Sequence, residues 1–137
     1  MSKPRVLLVD DDRSVLDALG SVIESEGFEL VSAADGRQAV EKFRLQPADI
    51  VLLDLSMPVM GGMDALERLR TINPFLPIII ITARSDAYPI ATAADVALMQ
   101  KPLDIPMLLG AMRELLAEPA TKRLSRFAGK ALKTRKS

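Results

Sequence analysis

Short apolar runs alternate along this chain with longer stretches in which apolar residues recur every three or four positions. Val6–Val9 is the first run and reads as a buried strand. Val15, Leu16, Leu19, Val22 and Ile23 then fall at helical spacing, with Asp12 placed to cap that helix and Gly27 to end it. Phe28–Ala33 is a second, shorter strand, and Asp35 and Gly36 open a helix with Ala39, Val40 and Phe43 on one face. Ile50–Leu53 is the third run, ending at Asp54. After the loop "SMPVMGG", whose Pro58, Gly61 and Gly62 read as turn residues, Ala65, Leu66, Leu69 and Ile72 form a third helical stripe. Four consecutive isoleucines, Ile78–Ile81, make the fourth strand, and Val96–Met99 the fifth. Between these two, "AYPIATAAD" has only a weak stripe, interrupted by Pro89. Asp104 caps a last helix with Leu108, Leu109, Met112, Leu115 and Leu116 on its buried side.

This is a (βα)5 pattern in about 118 residues. Strands apolar on both faces and separated by helices imply a doubly wound parallel sheet covered on both sides. Ligands of such sheets bind beyond the carboxyl ends of the strands. The residues expected there are Asp10, Asp11 and Asp12, then Asp54, Thr82 and Lys101.

Composition narrows the chemistry at that edge. The 137 residues include no cysteine and no histidine, which excludes disulfides, thiolate metal sites, a thiol nucleophile and an imidazole base. What remains is carboxylate, hydroxyl and lysine, and any metal should be a hard, oxygen-seeking cation. No stretch approaches the roughly 18 apolar residues of a membrane span, and the run after Lys3 and Arg5 is too short for a signal peptide, so the default expectation is a cytoplasmic protein without membrane insertion.

If the first and third strands adjoin, Asp10, Asp11 and Asp54 converge. Three carboxylates in one crevice repel unless a divalent cation sits among them, and Mg2+ suits a few carboxylates, water and a phosphate oxygen. Lys101 adds a fixed positive charge and Thr82 a hydroxyl, so the set forms an electrostatic clamp for a phosphoryl group, with Asp54 as its nucleophile. Asp12 is better placed as a helix cap than as a ligand. Ordinary cap and turn chemistry explains any one of these aspartates, but not all of them together with Thr82 and Lys101.

"VLLVDDD", "DIVLLDLSMPVMGG", "IIIITA" and "QKP" resemble, in order, the signature segments of the two-component response-regulator receiver domain, in its chemotaxis-regulator-like form. The resemblance covers residues 4–118. It implies a flavodoxin-like sheet in the order 2-1-3-4-5, with Asp10 and Asp11 holding Mg2+ and Asp54 taking a phosphoryl group from a phosphohistidine. The donor would be a sensor histidine kinase or a phosphotransfer protein, and a downstream protein target would read the result. By the same resemblance Ser56 lends its backbone carbonyl to the metal, Thr82 is the switch hydroxyl, Lys101 pairs with the phosphoryl group and Lys101–Pro102 is a cis bond. Such a domain is not an enzyme beyond its own phosphorylation and dephosphorylation.

Two features depart from the family. Only 19 residues lead from Thr82 to Lys101, fewer than receivers commonly have, and Leu98 stands where an aromatic ring usually does. Both bear on switching through residues 84–99. Two other readings compete: a Mg2+-dependent phosphatase with an aspartyl nucleophile, and a pseudo-receiver that only binds. The phosphatase normally has a second aspartate two residues after the nucleophile, where this chain has Ser56. The intact acid set, Thr82 and Lys101 argue against the pseudo-receiver.

Charge divides the chain. Residues 1–118 carry 11 Lys/Arg and 18 Asp/Glu, a net of −7, and residues 119–137 carry seven cations and no acid. We therefore expect a receiver domain over 1–118 and a basic tail over 119–137, with no room for an output domain beyond 118. Leu124, Phe127, Ala128, Ala131 and Leu132 give the tail helical spacing. It fits an amphipathic helix on a partner or anionic surface, a helix on its own acidic domain, or a solvated disordered tail. Nucleic acid is disfavoured, since seven cations and one aromatic offer non-specific contact at most.

Overall fold

The structure, a computed structural model, describes residues 3–55, 61–83 and 96–118. Five parallel strands, β1 (Arg5–Val9), β2 (Glu29–Ala33), β3 (Ile50–Asp54), β4 (Ile78–Thr82) and β5 (Ala97–Gln100), form one sheet in the order β2-β1-β3-β4-β5. The four described helices are α1 (Arg13–Ser25), α2 (Gly36–Leu45), α3 (Gly62–Ile72) and α4 (Ile105–Ala117). The weakly patterned stretch between β4 and β5, where the fourth helix of a (βα)5 chain is expected, lies within 84–95, outside the described residues, as does the basic tail.

The two faces of each strand feed two cores. Leu7, Val9, Val51, Leu53, Ile78 and Ile80 pack with Phe43 of α2 and Leu66 and Leu69 of α3. Val6, Leu8, Ile50, Leu52, Ile79 and Ile81 pack with Leu16, Leu19 and Ile23 of α1 and with Leu108 and Met112 of α4. Each such side chain contributes about 1.5–3 kcal/mol by leaving water, so covering both faces is what makes the apolar runs strands here. The central strands β3 and β4 are buried throughout, whereas edge strands β2 and β5 are only half-buried. Leu115 and Leu116 are only half-buried, packed against the margin of the same core.

The expected caps form. The Asp12, Asp35 and Asp104 carboxylates accept backbone N–H bonds from Ser14, Gln38 and Met107, satisfying first-turn donors that have no helical partner. Gly27, just past the Glu26 C-cap of α1, has φ +93°, a left-handed conformation that side chains with a Cβ resist. On the outer side of β2, the Lys42 ammonium donates to the Ser32 carbonyl.

Candidate functional site

Backbone pairing delivers the candidate side chains to one edge. Asp54 and Thr82 are the last residues of β3 and β4, one step earlier than positions just past the strand ends, while Asp10 and Lys101 follow β1 and β5 directly. Two bonds extend the sheet past its formal ends: the Asp10 N–H donates to the Ala33 carbonyl (3.1 Å) and the Lys101 N–H to the Thr82 carbonyl (2.9 Å). Asp10 is thereby tied to β2, and Lys101 to the residue carrying the candidate hydroxyl. The Lys101–Pro102 peptide is cis.

Asp10 and Asp54 are each 3 % exposed and Thr82 is fully buried, whereas Asp11 is exposed. Charged groups at such depth need partners. Lys101 Nζ supplies one to both, lying 3.3 Å from Asp10 Oδ2 and 3.6 Å from Asp54 Oδ2. The other Asp10 oxygen accepts the Asp12 N–H at 2.9 Å. The Asp12 carboxylate itself turns to Ser14, accepting from its N–H at 2.9 Å and its hydroxyl at 2.6 Å.

These contacts set the protonation balance. Burial pushes the Asp10 carboxyl above its ordinary range; the Asp12 N–H opposes this, the Asp54 charge adds to it and Lys101 opposes it, with a net upward shift. Partial burial pulls Lys101 down, but the Asp54 and Asp10 charges outweigh it and the ammonium is held above its usual range. Bonds from the Ser14 hydroxyl and N–H lower Asp12, which stays ionised as a cap.

Asp10, Asp11 and Asp54 can each present one carboxylate oxygen so that all three lie within 4.8 Å of one another. Octahedral Mg2+ with bonds of about 2.1 Å places opposite ligands roughly 4.2 Å apart, so small side-chain rotations bring this set to coordination distance. The donors are all hard oxygens, and three positions would remain for water, a carbonyl and a phosphate oxygen. The residues present fit the cation.

Ser56 lies outside the described residues. Leu98 pairs with Ile80 and packs, half-buried, against the α2–α3 core. Gly62 looked like a turn glycine, yet it is the buried first residue of α3 and has no left-handed φ. A Cβ on it would lie 2.5 Å from Leu55 Cα and 2.7 Å from the Asp54 carbonyl oxygen. The "GG" pair was the available signal, but only the fold shows which backbone it touches.

Comparison with known proteins agrees with this geometry. The family model described as the response regulator receiver domain matches residues 6–113. A probable transcriptional regulatory protein of Mycobacterium tuberculosis, TcrX, is 34% identical over 114 residues, covering 81% of this chain and 49% of the relative. The response regulator MprA of Mycolicibacterium vanbaalenii is 34% identical over 115 residues, 82% of this chain and 50% of that protein. The chain thus spans about half the length of these two regulators. Among solved structures, a CheY-like receiver domain protein from Methanospirillum hungatei superposes with a TM-score of 0.80 at 26% identity, covering 91% of this chain and 99% of that one. The response regulator TrrA of Thermotoga maritima, solved in complex with Mg2+ and BeF, gives 0.76 at 27% identity, over 82% and 98% of the two chains. With its sheet order, its acidic crevice and a family match over most of its length, the chain belongs to the response regulator receiver domains of two-component systems.

Proposed function

We propose that this receiver domain takes a phosphoryl group on Asp54 from a phosphohistidine of a sensor histidine kinase or phosphotransfer protein, with Mg2+, and passes the state on by protein contact. The observation that carries the reading is the juxtaposition at Asp54: a buried carboxylate with Lys101 Nζ 3.6 Å away and two further carboxylates within ligand range. An Asp54 oxygen attacks phosphorus, the phosphorus–nitrogen bond breaks, and the imidazole leaving group regains a proton, leaving an acyl phosphate. Asp10, Asp11, Asp54 and the Ser56 carbonyl would hold Mg2+, which when bound neutralises charge on the transferring oxygens. Lys101 would leave Asp10 and pair with the new phosphoryl group. Thr82, at the end of the adjoining strand, would donate its hydroxyl to a phosphoryl oxygen. Burial of Asp54 limits water around the nucleophile. Residues 1–118 would carry this chemistry and 119–137 a separate, basic function.

The test is incubation with a small phosphodonor and Mg2+ followed by intact-mass measurement, with Asp54→Asn as control. A Mg2+-dependent phosphate adduct absent from the variant is expected. Rapid turnover of varied phosphate esters would instead identify a phosphatase, and no reaction a binding module.

A further inference from the structure

The geometry points to Gly62 as a positioning residue for the phosphoacceptor, one whose missing side chain lets α3 rest on the Asp54–Leu55 backbone. The inference rests on the proposed phosphotransfer and deepens it. A Cβ at this position would meet Leu55 Cα at 2.5 Å, the Asp54 carbonyl oxygen at 2.7 Å and Leu55 Cδ2 at 3.0 Å. Carbon atoms in contact normally sit about 3.5–4.0 Å apart, so the first two approaches are too close for any residue but glycine. Only the third can be relieved by a rotamer change. The first two are with backbone, and one is the carbonyl of the phosphoacceptor itself.

This contact bears directly on the site. The Asp54–Leu55 peptide sets the direction of the Asp54 side chain, so a displacement there moves the carboxylate relative to Lys101, Asp10 and Asp11. Mg2+ demands near-ideal octahedral geometry, so shifts well under 1 Å tell on its binding. Gly110 offers the opposite case: it lies exposed in α4, and a Cβ there would meet nothing within 4 Å.

The experiment compares wild type, Gly62→Ala and Gly110→Ala by Mg2+ calorimetry and by the rate of phosphorylation from a small phosphodonor. Circular dichroism first establishes that each is folded at the temperature used. Gly62→Ala is expected to weaken Mg2+ binding by tenfold or more and to slow phosphorylation at saturating Mg2+, with Gly110→Ala like wild type. A purely structural glycine would lower the unfolding midpoint but leave the Mg2+ affinity of the folded protein unchanged, which would overturn the inference. Adding Leu55→Ala to Gly62→Ala should restore neither property, because the clash is with backbone; recovery would also overturn it. Should Gly62→Ala fail to fold, the wild type decides by NMR. Titrating Mg2+ should shift the Gly62 and Met63 amide resonances along with those of Asp10 and Asp11, and a response confined to the aspartates counts against the role. A wild type that neither binds Mg2+ nor is phosphorylated defeats the parent reading instead.

Discussion

Replacing Lys101 by methionine keeps the aliphatic stem and removes the one cation described at the heart of the acidic crevice. At 3.3 and 3.6 Å from Asp10 and Asp54, each pair has a gross Coulomb attraction of about 5 kcal/mol at an effective dielectric near 20. Desolvation consumes much of that. The lysine side chain is 29% exposed and both carboxylates 4%, so the loss lies between that of a surface pair, about 0.2–1 kcal/mol, and that of breaking a buried one, about 3–5 kcal/mol. We expect metal-free Lys101→Met to be less stable by about 2–3 kcal/mol, roughly 6–12 °C in Tm for a chain of this size. Mg2+ should reverse the ranking in affinity. In the wild type the cation must take Asp10 away from the ammonium and then sit beside that positive charge; in the variant it meets neither obstacle. The variant should bind Mg2+ about tenfold more tightly, which is about 1.4 kcal/mol, and the stability gap should narrow by that much at saturating Mg2+. Yet it should be phosphorylated more slowly, having lost the proposed partner of the incoming phosphoryl group. Urea unfolding followed by circular dichroism, in chelator and in Mg2+, reads both effects; the chain has no tryptophan for fluorescence. A variant as stable as wild type in chelator, or one binding Mg2+ no more tightly, refutes the reasoning.

Asp10→Asn should stabilise the metal-free protein at neutral pH while abolishing Mg2+ binding. Because the folded state raises the Asp10 pKa, native protein holds that proton more tightly than unfolded chain. Metal-free stability from this group therefore falls as pH rises from its ordinary 3.8 through the raised value, and that fall should be missing from the variant's pH–stability profile. Lys101 works in the other direction: its contribution is full below its ordinary 10.5 and is lost as pH rises through the higher folded value, so wild type should lose more stability than Lys101→Met in that alkaline window. Two glycine substitutions should have opposite signs in thermal unfolding. Gly110→Ala gains up to about 1 kcal/mol of helix propensity, and Gly27→Ala loses about 1 kcal/mol or more at its left-handed φ. Asp35→Ala should cost about 1 kcal/mol by removing the carboxylate that accepts the Gln38 N–H at 2.8 Å.

Much of the fold was legible because two local signals coincide. Asp12, Asp35 and Asp104 announce helices whose apolar stripes begin within a turn, and the runs at Val6, Ile50 and Ile78 tolerate no solvated face. Such patterns need no tertiary information. The convergence of the candidate residues was legible for a related reason: a carboxylate at the end of a fully apolar strand has nowhere to go but the sheet's edge. What stayed hidden depends on distance across the fold. Lys101 lies 91 residues from Asp10, and no local pattern says that its ammonium bridges Asp10 and Asp54. Gly62 looked like loop punctuation because sequence carries no record of which backbone a missing Cβ makes room for. The strand ends slipped by a residue at Asp54 and Thr82 because polar residues there still pair in the ladder, Asp54 with Ile81 and Thr82 with Gln100.

The lysine on the outer side of β2 has a bearing on self-association. In β2 the Glu29 N–H and the Ala33 carbonyl bond inward to β1 and its flanks, so alternation turns the peptide groups of Leu30 and Ser32 outward. A foreign strand approaching this edge needs those few groups as its template. With the Ser32 carbonyl already accepting from Lys42, the template is short by an acceptor, and a fixed charge stands over it. The side chain thus acts as a guard, keeping an open parallel sheet from growing by a sixth strand at the end nearest its acidic crevice.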